Sequence, residues 1–332
     1  MPPADSLPPL TDLLGSARVV ALPLVSRFRR VDVREAVLLK GPSGWTEFSP
    51  FTEYDDAEAS AWLAAAIDFG WGNLPALHRD SVAVNATLPA VGPEAVAGIL
   101  DRFPGCRTVK VKVADPGQGL PDDVARVAAA RDYLGPSGRV RVDANGAWTL
   151  DEAERAIHAL APYDLEYVEQ PCATVEELAE LRARVAYMGI PIAADESVRR
   201  AEDPLAVARA GAADLLVIKA QPLGGIAAAL RIVDEAGLPV VVSSALDTSV
   251  GISMGLHLAA AIPSLEFDCG LATASLLADD VTGEPLIPVD GMLPVRRVDA
   301  DLHLLGEHAA DAERSAWWLD RLARCYELLA AG

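Results

Sequence analysis

The stretch TVKVKVAD, residues 108–115, alternates valine with lysine and so has the period-two pattern of a β-strand. One face is apolar. The other carries Lys110 and Lys112. On an edge strand the lysines are solvated decoration; inside a closed sheet, two ammonium groups point into a protein interior and need anionic company there. The rest of the chain decides between these readings.

Working outward, the region from about 82 to 271 repeats one theme: a short β-branched run, then an Ala/Leu-rich helical segment. The strand candidates are SVAVNA from Ser81, TVKVKV from Thr108, RVRVDA from Arg139, LEYVEQ from Leu165, IPIAAD from Ile190, LLVIKA from Leu215, LPVVVSS from Leu238 and SLEFDCG from Ser264. Helices between them carry start signals, such as Thr149 three residues before Glu152 and Thr174 three before Glu177. Eight such units in succession predict an α/β fold, a (β/α)8-type TIM barrel. A doubly wound open sheet is the alternative, but no G-x-G-x-x-G opens any of the helices.

The flanks read differently. Strand-like ARVVALPL, REAVLLKG and GWTEFS precede a helix over 55–70, and the tail ends in DAERSAWWLDRLARCYELLAAG. The expected organisation is an α+β capping domain over 1–80, the barrel over 81–285, and a C-terminal tail, 286–332, that completes the cap.

Composition narrows the function classes. The 332 residues carry a formal net charge of −20, which repels phosphate backbones and anionic lipid surfaces and argues against nucleic-acid and membrane partners. The N-terminus lacks a signal-peptide pattern, and no window reads as a membrane helix. Cys106, Cys172, Cys269 and Cys325 are far apart and fit free thiols in a reducing cytoplasm. The five histidines have no metal-ligand or triad spacing. The oligomeric state is left open, a monomer included.

Barrel enzymes carry their chemistry at the C-terminal ends of the strands. Those positions hold Lys110 and Lys112; Arg141, Asp143 and Asn145; Glu169; Asp195 and Glu196; Lys219; Ser243 and Ser244. Asp143, Glu169 and Asp195 lie 26 residues apart in succession, one βα unit each time, and are expected to converge at the mouth. Converging carboxylates repel unless a cation sits among them, and oxygen-only ligation suits Mg²⁺, with Mn²⁺ as the alternative. Such a cation stabilises the dianion formed when a proton α to a carboxylate leaves, and a lysine with a lowered pKa serves as base. Lys110 is placed to supply Lys112 with a neighbouring charge. The blander readings are solvated lysines and helix-capping aspartates; charged groups at the same end of five consecutive strands argue against them. PLGG (222–225) is read either as an anion-binding helix start or as a plain turn. Asp247 and Asp268 are read as supporting or structural.

KxK at 110–112, DANGAW at 143–148, EQP at 169–171, DES at 195–197 and Lys219 together resemble the enolase superfamily, specifically its muconate-lactonizing subgroup. GWTEFSPFTEYDDAEASAWLAAAI (44–67) and VVSSALDTSVGI (241–252) are most similar to the actinobacterial o-succinylbenzoate synthase family. The resemblance implies Mg²⁺ on Asp143, Glu169 and Asp195, and Lys112 as the residue that removes the α-proton of 2-succinyl-6-hydroxy-2,4-cyclohexadiene-1-carboxylate and returns it to the departing hydroxyl. It implies Lys219 as the cation stabilising the enolate, Lys110 as the residue tuning Lys112, and Asn145 and Glu196 as supports. Menaquinone biosynthesis follows from the same resemblance. Arg141 and the Ser243–Ser244 backbone are the expected contacts to the small dianionic carboxylate substrate, and the cap loop SRFRR (26–30) the expected lid. An N-acylamino acid racemase or dipeptide epimerase on the same scaffold remains an alternative, and a metal-free Schiff-base lyase using Lys219 a remote one.

Overall fold

The computed structural model describes residues 7–28, 31–200 and 203–331. The chain opens with helix α1 (Leu10–Ser16) and an antiparallel sheet of β1 (Arg18–Phe28), β2 (Val31–Gly41) and β3 (Gly44–Phe48), followed by α2 (Asp56–Trp71). Then come β4 (Ser81–Ala83), β5 (Ala86–Leu88), α3 (Val96–Leu100), β6 (Thr108–Lys112), α4 (Leu120–Leu134), β7 (Arg139–Asp143), α5 (Leu150–Leu160), β8 (Leu165–Glu169) and α6 (Val175–Val185). The second half continues with β9 (Ile192–Ala194), α7 (Glu196–Arg199), α8 (Ala206–Arg209), β10 (Leu215–Ile218), α9 (Ile226–Ala236), β11 (Val240–Val242) and α10 (Ser249–Ala261). The tail forms β12 (Met292–Pro294), α11 (Leu302–Glu307) and α12 (Ala312–Ala331).

Strands β5 to β11 form one parallel sheet in sequence order, as βα units predict. Two of the expected strands differ from their sequence reading. SLEFDCG forms no ladder; Cys269 and Gly270 bridge singly to Val84 and Ser243, and these contacts join the two edges of the sheet. The run from Ser81 divides: β4 pairs antiparallel with β12 of the tail, and only β5 enters the barrel. The chain turns away at Val84, whose N–H donates to the Gly291 carbonyl.

Alternation assigns every strand an inside and an outside. Val109, Val111, Val140, Val142 and Val168 join the large cluster between strands and helices. Few apolar residues face inward: Tyr167, Ala193, Leu215, Val217 and Val241 pack together with Phe267. Charged groups fill the rest of the interior. Lys110 is 6 % exposed, so the lysines of TVKVKVAD do face inward. The predicted capping boxes are present: the Thr149 N–H donates to Glu152 at 2.9 Å and the Thr174 N–H to Glu177 at 3.2 Å.

The cap has its own aromatic core of Phe48, Phe51, Tyr54, Trp62 and Trp318, the last brought by α12. It also reaches into the barrel's helix layer. Asp68 of α2 accepts from the Ile226 N–H at 3.1 Å, so the anion at the PLGG helix start is the cap's own carboxylate. Gly225 there has φ +114°, and a Cβ would stand 2.6 Å from Asp68 Oδ2; glycine is required on both grounds.

Candidate active site

Register brings the predicted acids together. Lys112, Asp143 and Glu169 are aligned neighbours on β6, β7 and β8, and Glu169 pairs with Ala193, two residues before Asp195. All three carboxylates are buried. Lys110 Nζ lies 2.8 Å from Glu169 Oε1 and 3.3 Å from Asp143 Oδ2. Lys112 Nζ donates to Asp143 Oδ2 and, at 2.8 Å, to Asn145 Oδ1. Across the barrel, Lys219 Nζ donates to Asp195 Oδ2.

The electrostatics are divided among the groups. Burial pushes the Lys112 ammonium below its usual range against the pull of Asp143, and the charge on Lys110 lowers it further. Burial likewise lowers Lys219, opposed by Asp195. Burial disfavours charge on Lys110 too, but Glu169 and Asp143 together outweigh it and raise this group. Among the acids, burial acts upward on Asp143 and Asp195, yet the lysines hold both well below the usual carboxylate range. Glu169 is pushed up to about 7 by burial and by the charge of Asp143.

Two residues that hold this geometry, Arg199 and the Gln170 of the EQP motif, were given no role from sequence. Arg199 pairs with Asp195 Oδ1 at 3.0 Å and with Glu196 Oε1 at 2.6 Å, and donates to the Tyr54 hydroxyl of the cap at 3.0 Å. Its position four residues after Asp195 on a short helix was the available signal. Gln170 accepts from the N–H groups of Asp195 and Ser197 at 2.9 and 3.1 Å and donates to Ser197 Oγ. Asn145 Nδ2 ties the cluster to Glu196 Oε1 at 3.1 Å. Asn145, Gln170 and Leu246, each just past the end of a barrel strand, have positive φ, a backbone conformation non-glycine residues adopt at a cost.

Of the expected substrate contacts, Arg141 sits elsewhere, and the backbone donors of Ser243 and Ser244 are already engaged. Arg141 is fully buried below the cluster, on Glu166, Asn85 and the Asp268 carbonyl, and lines no cavity at the mouth. It is aligned with Lys110 on the neighbouring strand, but its guanidinium is drawn to Glu166, Asn85 and the Asp268 carbonyl, whereas the Lys110 ammonium meets Asp143 and Glu169. Ser243 and Ser244 do line the inner cavity, but their N–H groups bond Ile218 and Gly270 in closing the barrel, so their backbone donors are not available to substrate. Of the SRFRR loop, Arg27 and Phe28 line the mouth, while Arg29 and Arg30 lie outside the described residues.

An outer cavity of about 490 Å³ opens over Lys112 between Arg27, Phe28 and Glu53 of the cap and the loops following β6 and β7. An inner cavity of about 30 Å³ joins Lys110, Lys112 and Lys219 to the Ser243–Leu246 loop, Phe51 and Thr273.

Family comparisons agree with this architecture. Residues 95–298 match the enolase C-terminal domain-like family and residues 19–70 the enolase N-terminal domain-like family. The chain belongs to the enolase superfamily. Among curated superfamily relatives, it is 57 % identical over 311 residues (93 % of this chain, 95 % of the relative) to the o-succinylbenzoate synthase of Thermobifida fusca. It is 54 % identical over 326 residues to that of Mycolicibacterium smegmatis, covering 98 % of this chain and 99 % of the relative. The fold is shared with a muconate lactonizing enzyme from Pseudomonas fluorescens, with TM-score 0.74 and 23 % identity over 89 % of this chain and 98 % of that one. It is shared also with the L-Ala-D/L-Glu epimerase of Bacillus subtilis, with TM-score 0.72 and 24 % identity over 86 % and 96 %.

Whether a superfamily metal fits these residues is a question of donors. Among the described residues no three acidic, imidazole or thiol groups form a ready cage, and lysines pair with the carboxylates. The donor set is nevertheless all oxygen, on three adjacent strands, and Glu169 Oε2 and Glu196 Oε2 are buried without a hydrogen-bond partner. An orphaned buried carboxylate oxygen is costly, and a hard divalent cation satisfies it.

Proposed function

We propose that the protein is an o-succinylbenzoate synthase, dehydrating 2-succinyl-6-hydroxy-2,4-cyclohexadiene-1-carboxylate to 2-succinylbenzoate. The observation that carries this reading is the position of Lys112, partly buried beside Asp143 and Asn145 under an open cavity, its proton loosened by desolvation and by Lys110. The name shared by relatives above 50 % identity supports it.

Charge balance supports the substrate class. With all eight groups ionised, Asp143, Glu169, Asp195 and Glu196 formally offset Lys110, Lys112, Lys219 and Arg199. A divalent cation and a dianionic substrate enter such a site together at little electrostatic cost. Asp143, Glu169 and Asp195 would hold Mg²⁺, which supplies positive charge against the enolate dianion. Lys112, unprotonated, takes the proton from the ring carbon bearing the carboxylate. The C–O bond to the neighbouring hydroxyl breaks, and the Lys112 proton goes to the departing oxygen as water. Lys219, on the opposite wall, holds its ammonium toward the developing negative charge. Aromatisation of the ring makes the step favourable. The cytoplasm is the compartment proposed, consistent with four unpaired cysteines.

The test is ultraviolet-monitored dehydration by the wild type, with Mg²⁺ and then with excess EDTA. Turnover abolished by chelation is the expected result. Failure to turn over the cyclohexadiene with Mg²⁺ present would overturn the assignment. Exchange of the α-protons of N-succinylamino acids in D₂O would then point to racemisation, the reading that the lowered pKa of both lysines on facing walls also serves.

A further inference from the structure

Glu47, on β3 of the cap, is fully buried, yet no part of the reaction uses it. Its Oε2 accepts from the N–H of Thr248 at 3.1 Å, the N–H of Gly251 at 3.2 Å and the Thr248 hydroxyl at 2.5 Å; Oε1 accepts from the Ser49 hydroxyl at 2.5 Å. A cap-domain carboxylate therefore closes the first turn of α10, a barrel helix buried along its whole length. Contact is close enough that a Cβ on Gly251 would stand 2.8 Å from the Glu47 carboxyl carbon. Arg34, on the neighbouring strand of the cap, donates to the Leu246 carbonyl at 3.0 Å, and also to the carbonyls of Ala245 and Ser49.

What lies between these holds is the loop over the site. Ser243, Ser244, Ala245 and Leu246 form one wall of the inner cavity, facing Lys110, Lys112 and Lys219. Leu246 sits there at φ +64°, which a branched side chain does not adopt unaided. The surroundings must hold it, and the groups that do so come from the cap. Asp247, beside Glu47 and 4 % exposed, adds a second buried acid to the same joint.

We propose that Glu47, assisted by Arg34, is a positioning residue for the reaction: from the cap it clamps the 245–248 end of the loop, whose start the barrel itself holds, and so fixes the wall that the substrate meets opposite the lysines. The kinetic part rests on the proposed dehydration; the clamp itself does not. Glutamine at 47 keeps the clamp, since its amide oxygen accepts from Thr248 and Gly251 while its NH₂ donates to the Ser49 oxygen. Alanine removes it.

Two measurements on the full chain test this. Amide hydrogen exchange over residues 245–252 is expected to rise at least about tenfold in Glu47→Ala and to stay near wild type in Glu47→Gln. On the cyclohexadiene, Glu47→Ala is expected to lose about 10–100-fold in kcat/KM, mostly in kcat, since displacement of a reacting group by about 1 Å costs on that order; Glu47→Gln is expected to recover to within about threefold. Glu47→Asp, which withdraws the carboxylate by one methylene, replaces the alanine variant if that does not fold. Unchanged exchange overturns the clamp, and so does a glutamine variant as impaired as the alanine one. Faster exchange with unchanged turnover overturns the positioning role. Wild-type inactivity on the cyclohexadiene condemns the proposed reaction, leaving the exchange result to judge the clamp.

Discussion

The two ends of the barrel interior carry similar charges on the same strands to opposite purposes. At the floor, Arg141 meets Glu166 Oε2 at 2.5 Å, Asn85 at 3.0 Å and the Asp268 carbonyl at 2.7 Å, with its guanidinium over the rings of Tyr167 and Phe267. Arg139 completes that end, bonding Asp268 at 2.8 Å and Thr108 at 3.0 Å. At the mouth, the same strands present Lys110, Lys112, Asp143 and Glu169, with an acid pushed up to about 7, a lysine pulled down and a buried carboxylate oxygen left without a partner. Forked arginines laid on aromatic faces saturate their acids and stay fixed. Lysines, as single-point donors, leave acceptors over, and burial makes Lys112 and Lys219, though not Lys110, readier to release a proton. Burial alone does not make a charge functional, nor does one unpartnered atom, since Arg141 Nη2 is buried without a partner too; the mouth differs in its single-point lysines and in the cavity that opens over them.

The largest effect that would break this contrast is at Lys112. Lys112→Ala is expected to lose about 10³–10⁴-fold in kcat with its melting temperature little changed, as removal of a general base predicts; a loss below about tenfold would mean the mouth is as structural as the floor. Glu169→Gln is expected to lower kcat/KM by at least about 100-fold and to weaken Mg²⁺ binding in isothermal titration. Unaltered metal affinity would remove Glu169 from the ligand set. At the floor the signs reverse. Arg141→Met strands Glu166 and is expected to lose about 3–5 kcal/mol of stability in denaturant titration, while the folded fraction keeps kcat within a few-fold.

The smallest expected effect is a pH dependence at the joint between cap and barrel. Glu47 is pushed up from 4.5 to about 7, by burial first and then by the charge of Asp247, with Arg34 and the hydroxyls of Ser49 and Thr248 pulling the other way. Between these values the native state holds a proton that the unfolded chain has lost. Stability from this group is therefore full below about pH 4.5 and falls as pH rises through about 7. The wild type is expected to lose about 2–3 kcal/mol relative to Glu47→Gln between pH 4.5 and 8. Parallel stability curves for the two proteins would show that Glu47 is ionised throughout.

Much of this was legible in the chain, and particular residues show why. Lys110 and Lys112 announce a strand by period two, and the 26-residue spacing of Asp143, Glu169 and Asp195 announces one βα unit per acid; both signals are local or periodic. Arg199 and Gln170 carry no period, and their roles follow from Asp195 and Ser197 only after the strands are side by side. Arg141 was misplaced for a related reason. Sequence gives the face of a strand but not the depth along the barrel at which a side chain meets its partners.

By itself, then, the sequence determined which residues face inward, the order of the strands and the gathering of acids and lysines at one end, because alternation and repeat length are properties of the backbone. Tertiary structure decided how the barrel closes, with Cys269 and Gly270 bridging both edges in place of a regular eighth strand. It also decided which charges are saturated and which cap residue holds which barrel helix. Glu47 lies 201 residues from Thr248, and Asp68 lies 158 from Ile226. A hydrogen bond has a reach of about 3 Å and leaves no trace in the sequence between its ends, so only the packed fold brings such pairs together.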